Sequence, residues 1–333
     1  MFIKETLRRI NIEDRPLNIL TCPTHERYES NLAKTGHNFF AIQGVNIKDW
    51  KDKYAKRPNN YKIIKQEEIP YIGIDLVLIQ QKFGQYQLLK PIAESLSVPS
   101  IVLEHTLPMN TWKKDDIKHF KKMSGELNVF ISNYSKEEWG WKDEENCLVV
   151  PHGINTEKFK PIVPIEKRNN YILSIVNDWV NRDYFCGYSL WKESMNGLPV
   201  QFFGETKGFS IAAKDEDDLV NKYNENAIFL NTSLVSPIPT VLMEAMSCGC
   251  AVITTNNCMI PEVVKDGYNG ILCNTAEEIK NSAITLLKRR DFCKILGENA
   301  RKTIEKKYNL DRFVKAWNNI FMSAIHMRVG IWN

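Results

Sequence analysis

Twice along this chain, short apolar runs alternate with stretches of helical spacing, and one polar, Pro- and Gly-rich break separates the two series. The first series holds LNILTCPTH (17–25), NFFAIQ, DLVLIQQ (75–81), PSIVLEHT (99–106) and NVFISNYS (128–135). The stretches ERYESNLAKTGH and LLKPIAESL between them read as helices. Apolar runs of this length, with helices between, predict parallel strands covered on both faces. The break is VVPHGINTEKFKPIVPIEKRNN (149–170), and it reads as a linker.

After the break the pattern restarts with YILSIVND (171–178), LPVQFFGE (198–205), AIFLNTS (227–233), GCAVITTN (249–256) and GILCN (270–274). TVLMEAMS (240–247) reads as a helix between two of them. The tail is helical, and Thr275 and Glu278 have the spacing of a capping box. At 333 residues there is room for two cores. The expected organisation is an N-terminal domain over 1–150, a second over 151–310, and a closing helix over 311–333. Two successive doubly wound parallel sheets leave ligand sites outside the strand C-termini, in a cleft between domains.

Composition narrows the class of partner. Lys plus Arg number 44 against 40 Asp plus Glu, a net charge of +4 and too weak a bias to point to nucleic acid. No apolar run reaches the length of a membrane span. The start, MFIKETLRRINI, lacks a signal-peptide core and is suited at most to a short basic amphipathic helix with weak peripheral membrane contact. The eight cysteines are scattered, with no Cys-x-x-Cys pair, which suits a reduced cytoplasmic protein using them as small hydrophobes.

The chemistry concentrates in AIFLNTSLVSPIPTVLMEAMSCGCAVITTNNCMIPEVVKDGYNGILCN (227–274). A helix begins near Pro239 and Thr240, after prolines that fix its entry. Its first-turn amides and positive dipole end suit a diphosphate. Glu244 lies one turn further on, in a mostly apolar helix. A carboxylate there needs a partner: two sugar hydroxyls on one reading, solvent on the other.

This segment resembles the donor-binding core of GT-B glycosyltransferases, specifically the retaining family four. That family carries Glu-x7-Glu, then Ala-Met-Ala-x-Gly, an apolar strand, a Pro-Glu-Val-Val turn and an Asn-Gly turn. Here stand PIPTVLMEAMSCG, AVITT and PEVVKDGYNG. VVPHGINTEKFKP (149–161) is similar to the family's interdomain linker, and DRFVKAW to a closing helix that crosses back to the first domain. The N-terminal half is similar in pattern only.

The resemblance implies two Rossmann-like domains facing a cleft, and sugar transfer from a UDP- or GDP-sugar with retained configuration. It implies no cofactor and no metal. Glu244 would hold the nucleotide ribose, with Pro239, Thr240 and Val241 at the diphosphate. The family's first glutamate falls on Ser236, whose hydroxyl can bond a sugar but supplies no carboxylate. The family's Arg after the first strand of the second domain falls on Asn177. Arg182 lies near its Lys position, and Lys207 in GETKG is a second basic candidate. His105, ending PSIVLEHT, corresponds to a strand-end His by the donor sugar, with Glu104 beside it. His25, in Thr24-His25-Glu26 where the family has a glycine-rich loop, is a candidate for the acceptor or sugar region. The acceptor is expected to be a glycan, lipid or small molecule rather than nucleic acid. Two alternatives remain: a non-catalytic nucleotide-sugar binder, suggested by Ser236 and Asn177, and a sugar-nucleotide epimerase on the same scaffold. A nicotinamide dehydrogenase lacks its Gly-x-Gly-x-x-Gly.

Overall fold

The apolar runs form strands whose alternate residues enter opposite layers of core. In Ala251–Thr255, Val252 joins the core on one face of the sheet, while Ala251 and Ile253 join the core on the other. A strand buried on both faces needs apolar residues at every position, and this explains the unbroken runs. The computed structural model describes residues 15–43, 48–236 and 238–329. The basic N-terminal segment 1–12 and Pro237 lie outside them.

The described residues divide into two compact units. One comprises the described residues among 1–131, 136–150 and 313–333, and the other those among 132–135 and 151–312. The first unit contains strands β1 (Asn18–Thr21), β2 (Asn38–Ile42), β3 (Tyr61–Ile64), β4 (Leu76–Ile79), β5 (Ser100–Glu104), β6 (Leu127–Phe130) and β7 (Cys147–Val149). Its helices are α1 (Glu26–Leu32), α2 (Gln85–Ser95) and α3 (Lys114–Lys121), and α4 (Asn133–Glu138) begins in the second unit. All its strand pairs are parallel, in the order β3-β2-β1-β4-β5-β6-β7. The order reverses between β1 and β4, so their C-terminal loops flank a switch-point crevice.

The second unit contains β8 (Asn169–Ile175), β9 (Val200–Phe203), β10 (Asn226–Asn231), β11 (Ala251–Thr255) and β12 (Ile271–Cys273). Its helices are α5 (Asp183–Cys186), α6 (Tyr188–Ser194), α7 (Glu216–Glu225), α8 (Thr240–Ser247), α9 (Ile260–Val263), α10 (Ala276–Lys288) and α11 (Arg290–Lys307). The parallel order is β12-β11-β10-β8-β9, with the reversal between β8 and β10. The loops after those two strands therefore flank this unit's switch point. Helix α10 buries Ile279, Ala283 and Leu286, the i, i+4, i+7 stripe of an amphipathic helix. Thr275 caps it by accepting from the Glu278 amide at 3.1 Å. Glu278 reaches back to the Asn274 amide at 2.6 Å, one residue earlier than a standard capping box.

The last helix, α12 (Leu310–Val329), buries Phe313, Trp317, Phe321 and Ala324 within the first unit. Trp317 Nε1 donates to Tyr28 Oη at 3.0 Å, and Phe321 packs edge-on to Phe39 and His37. No helix among the described residues is long and apolar enough to cross a membrane.

Two sequence expectations need correction. NVFISNYS is not one strand: β6 ends at Phe130 and α4 starts at Asn133. Ser132 Oγ accepts from the Ser135 amide at 2.8 Å, and this capping bond turns the chain into a helix. The segment 149–170 is not a free linker throughout, because β8 starts at Asn169 and Arg168 is buried. Its guanidinium donates to the carbonyls of Val163 (2.8 Å) and Cys248 (2.9 Å), pinning the end of the segment to the second unit.

Candidate functional site

In the second unit, three loops at the strand C-terminal edge hold the sequence candidates. The loop after β8 is clasped to the loop after β9. Asp178 N donates to Glu205 O (2.8 Å), Glu205 N to Asn177 Oδ1 (2.8 Å), and Trp179 N to Thr206 Oγ1 (3.0 Å). Asn177, standing where an arginine was expected, thus serves the fold. Arg182 is exposed at the N-cap of α5, and Lys207 is exposed in the tight Thr206–Ser210 turn.

The loop after β10 packs onto α5. Thr232 Oγ1 donates to Cys186 O at 3.0 Å, and Leu234 N to Phe185 O at 2.9 Å. The chain passes half-buried Ser236 and buried Ile238 to Pro239, the N-cap of α8. Pro239 has extended backbone geometry and offers no side-chain cap. The first-turn amides at Thr240 and Val241, both half-buried, therefore receive no capping side chain. Beyond them α8 is fully buried from Leu242 to Ser247, which fixes the helix start rigidly against the core.

Glu244 is 1% exposed, so it is not a solvent-facing helix glutamate. Its Oε2 accepts from Tyr223 Oη at 2.9 Å, and Tyr223 is itself wholly buried on α7. Sequence reasoning missed this partner. Tyr223 lies at helical spacing among Leu219 and Val220 and reads as core, so only its hydroxyl hinted at a bond.

In the first unit, His25 lies in the switch-point loop after β1, while Glu104 ends β5, one strand beyond β4, and His105 follows it. His25 caps α1, its Nδ1 accepting from the Tyr28 amide at 3.3 Å. Glu26 pairs with Lys48 at 2.6 Å. His105 is half-buried, with Nε2 3.3 Å from Gln80 Oε1 and its ring edge-on to Tyr28 at 4.7 Å. Glu104 is 3% exposed. Its Oε1 accepts from Thr106 Oγ1 (2.6 Å) and Thr106 N (3.1 Å), while Oε2 is buried without a hydrogen bond. Burial pushes its carboxyl above the ordinary value, partly offset by Thr106 and the nearby Lys82. Lys82, whose pKa burial lowers, donates to the carbonyls of Met123 (3.0 Å) and Phe120 (3.1 Å) over the Trp139 ring.

Missed altogether was Glu29, on α1. It is buried and accepts four hydrogen bonds, two of them from the Thr24 and His25 amides. The signals were a polar Gln80 closing an apolar strand and a Glu on the core face of a short helix.

Residues 201–303 match the family described as Glycosyl transferases group 1. An uncharacterized glycosyltransferase of Methanocaldococcus jannaschii is 43% identical over 87 residues, covering 26% of this chain and 22% of that protein. A probable sucrose-phosphate synthase of Thermosipho melanesiensis is 27% identical over 203 residues, covering 53% and 47%. The chain thus spans less than half the length of these two relatives. Among solved structures, Anabaena HepE in complex with UDP and glucose superposes with a TM-score of 0.76 at 12% identity, covering 93% of this chain and 100% of that one. That likeness is one of fold, and the fold is GT-B.

Proposed function

We propose that this chain is a group 1 glycosyltransferase on the GT-B fold and moves a sugar from a nucleotide diphosphate sugar to an acceptor. The observation that carries the reading is the start of α8. It is an uncapped helix N-terminus at the second unit's switch point, rigidly backed by core, inside the matched segment 201–303. HepE, of like fold, has been solved with UDP and with UDP-glucose, which supports a UDP- or GDP-sugar as donor.

In this reading the diphosphate meets the Thr240 and Val241 amides behind Pro239. Glu244, steadied by Tyr223, takes the ribose, and Ser236 offers its hydroxyl at the sugar end. The bond from anomeric carbon to phosphate oxygen breaks, and negative charge grows on the departing diphosphate. Fixed dipoles aimed at that charge lower the barrier. The α8 dipole, Arg182 and Lys207 supply them, and no metal is invoked. The acceptor hydroxyl attacks the same face and gives its proton to the departing oxygen, so configuration is retained. His105, Glu104 and His25 serve the sugar and acceptor from the first unit. The acceptor is a glycan, lipid or small molecule.

The test is release of UDP or GDP from a panel of nucleotide sugars with mixed acceptors. Arg182→Ala is expected to lower kcat by about 10²-fold, the usual effect of losing one charge-stabilising group. An unchanged kcat in both Arg182→Ala and Lys207→Ala contradicts their assigned role. A second reading, a non-catalytic nucleotide-sugar binder, is favoured by Ser236 and by the structural use of Asn177. Nucleotide binding without turnover of any donor selects it.

A further inference from the structure

A buried hydrogen-bond chain runs beneath the switch point of the first unit. Glu29 Oε2 accepts from the amides of Thr24 (2.9 Å) and His25 (3.0 Å). Its Oε1 accepts from Tyr61 Oη (2.6 Å) and Gln80 Nε2 (2.7 Å). Gln80, 1% exposed, also turns Nε2 toward Thr21 Oγ1 (3.2 Å) and the Cys22 carbonyl (3.5 Å). The two ends of a side-chain amide are told apart by their partners. Turned over, Gln80 would set its oxygen against a carboxylate and a carbonyl. Its Oε1 therefore faces His105 Nε2, 3.3 Å away. An acceptor in that place requires a proton on Nε2.

We infer that Gln80 is a positioning residue that holds His105 as its Nε2–H tautomer, with Glu29 anchoring Gln80 and, through the same carboxylate, the Thr24–His25 loop. The basic lone pair of the neutral ring then lies on Nδ1. In the proposed transfer, whose proton goes to the departing diphosphate oxygen, Nδ1 acts as a hydrogen-bond acceptor for a sugar or acceptor hydroxyl. This last step rests on the reading of His105 as a site residue, whereas the tautomer does not. One carboxylate thus sets the shape of the loop after β1 and the proton of the histidine after β5. It offers a reason why this chain needs no glycine-rich loop there: the two amides of that turn are already satisfied by Glu29.

The chain is tested by NMR of the full protein labelled with 15N-histidine, at a pH where the ring is neutral. His105 is assigned as the signal lost in His105→Asn. The native protein is expected to show a slowly exchanging proton on Nε2 and an unprotonated Nδ1. Glu29→Gln supplies the sharper reading. The single oxygen of the introduced amide must serve the two backbone amides, so its NH2 faces Gln80. Gln80 then turns over and the His105 proton moves to Nδ1. Gln80→Met is expected to lose the slow exchange of the Nε2 proton. A native His105 protonated on Nδ1 overturns the inference even if neither variant folds. So does an Nε2 proton that stays slowly exchanging in both variants. None of these signals depends on turnover. The expected tautomer with no nucleotide binding counts against the proposed function and leaves the positioning chain standing.

Discussion

Glu244 shows how a single side chain divides its dependence between stability and binding. Its Oε2 receives the hydroxyl of a wholly buried Tyr223. Glu244→Ala takes that acceptor away from a buried hydroxyl, a loss of roughly 1–3 kcal/mol. Glu244→Gln retains an acceptor oxygen and is the cleaner probe of ribose binding. Urea denaturation is expected to find Gln closer to the native protein than Ala, while both lose nucleotide affinity. Glu104 supplies a pH signature. Its folded pKa is raised above the unfolded value of about 4.3, because burial leaves Oε2 without a hydrogen bond. A carboxyl that holds its proton more tightly when folded stabilises the fold most below the unfolded pKa. That contribution is lost as pH rises through the folded pKa. Denaturation of the native protein and Glu104→Gln across that window is expected to show the native protein losing stability relative to the variant as pH increases. A difference independent of pH contradicts the assignment. The sequence displayed Glu244 as a carboxylate needing a partner. It did not display the partner, because Tyr223 sits 21 residues away on another helix, and Glu29 likewise meets Gln80 across 51 residues.

Among the elements, α8 was the most legible, since TVLMEAMS coincides with Thr240–Ser247. Its prolines, apolar face and following Gly249 all mark one helix. The strands least legible were β3 and β7, the two outermost of the seven-stranded sheet. An edge strand is paired on one side only: β3 tolerates exposed Lys62, which breaks its apolar run, and β7, with Leu148 exposed, is apolar but only three residues long. Proline is accepted at the first helical position, where its missing N–H breaks no intrahelical bond. The residue before it must be extended, as Pro239 is. Thr240→Pro is therefore expected to change stability by less than about 1 kcal/mol while removing one diphosphate-facing amide. Thr240→Val controls for the lost hydroxyl. Gly204 holds the other loops together at a φ of +119°, where an added Cβ would lie 2.0 Å from the Val176 carbonyl oxygen. Gly204→Ala is expected to cost more than about 2 kcal/mol in denaturation, combining backbone strain with a steric clash, and to loosen the Arg182 and Lys207 loops together.

At the scale of the whole molecule, chain order and compact units do not coincide. Phe313 onward belongs with the first unit, although β8–β12 intervene in sequence. Period and punctuation alone mark out the two α/β series. The packing of α12 on Tyr28 and Phe39 depends on residues nearly three hundred positions apart, which no local pattern encodes. The family match spans residues 201–303, so the proposed function rests most heavily on the second unit. A ligand that binds only the folded state stabilises it by about 2.7 kcal/mol at a concentration of 100 Kd. The right nucleotide sugar should therefore raise the unfolding temperature in a concentration-dependent way. The most direct measurement is calorimetric titration of the full chain with UDP-, GDP- and ADP-sugars, beside Thr240→Pro and Thr240→Val. The account predicts one nucleotide bound per chain, with affinity reduced by Thr240→Pro and preserved by Thr240→Val. No binding by any of the nucleotide sugars, or equal affinity in the native and Thr240→Pro proteins, contradicts it.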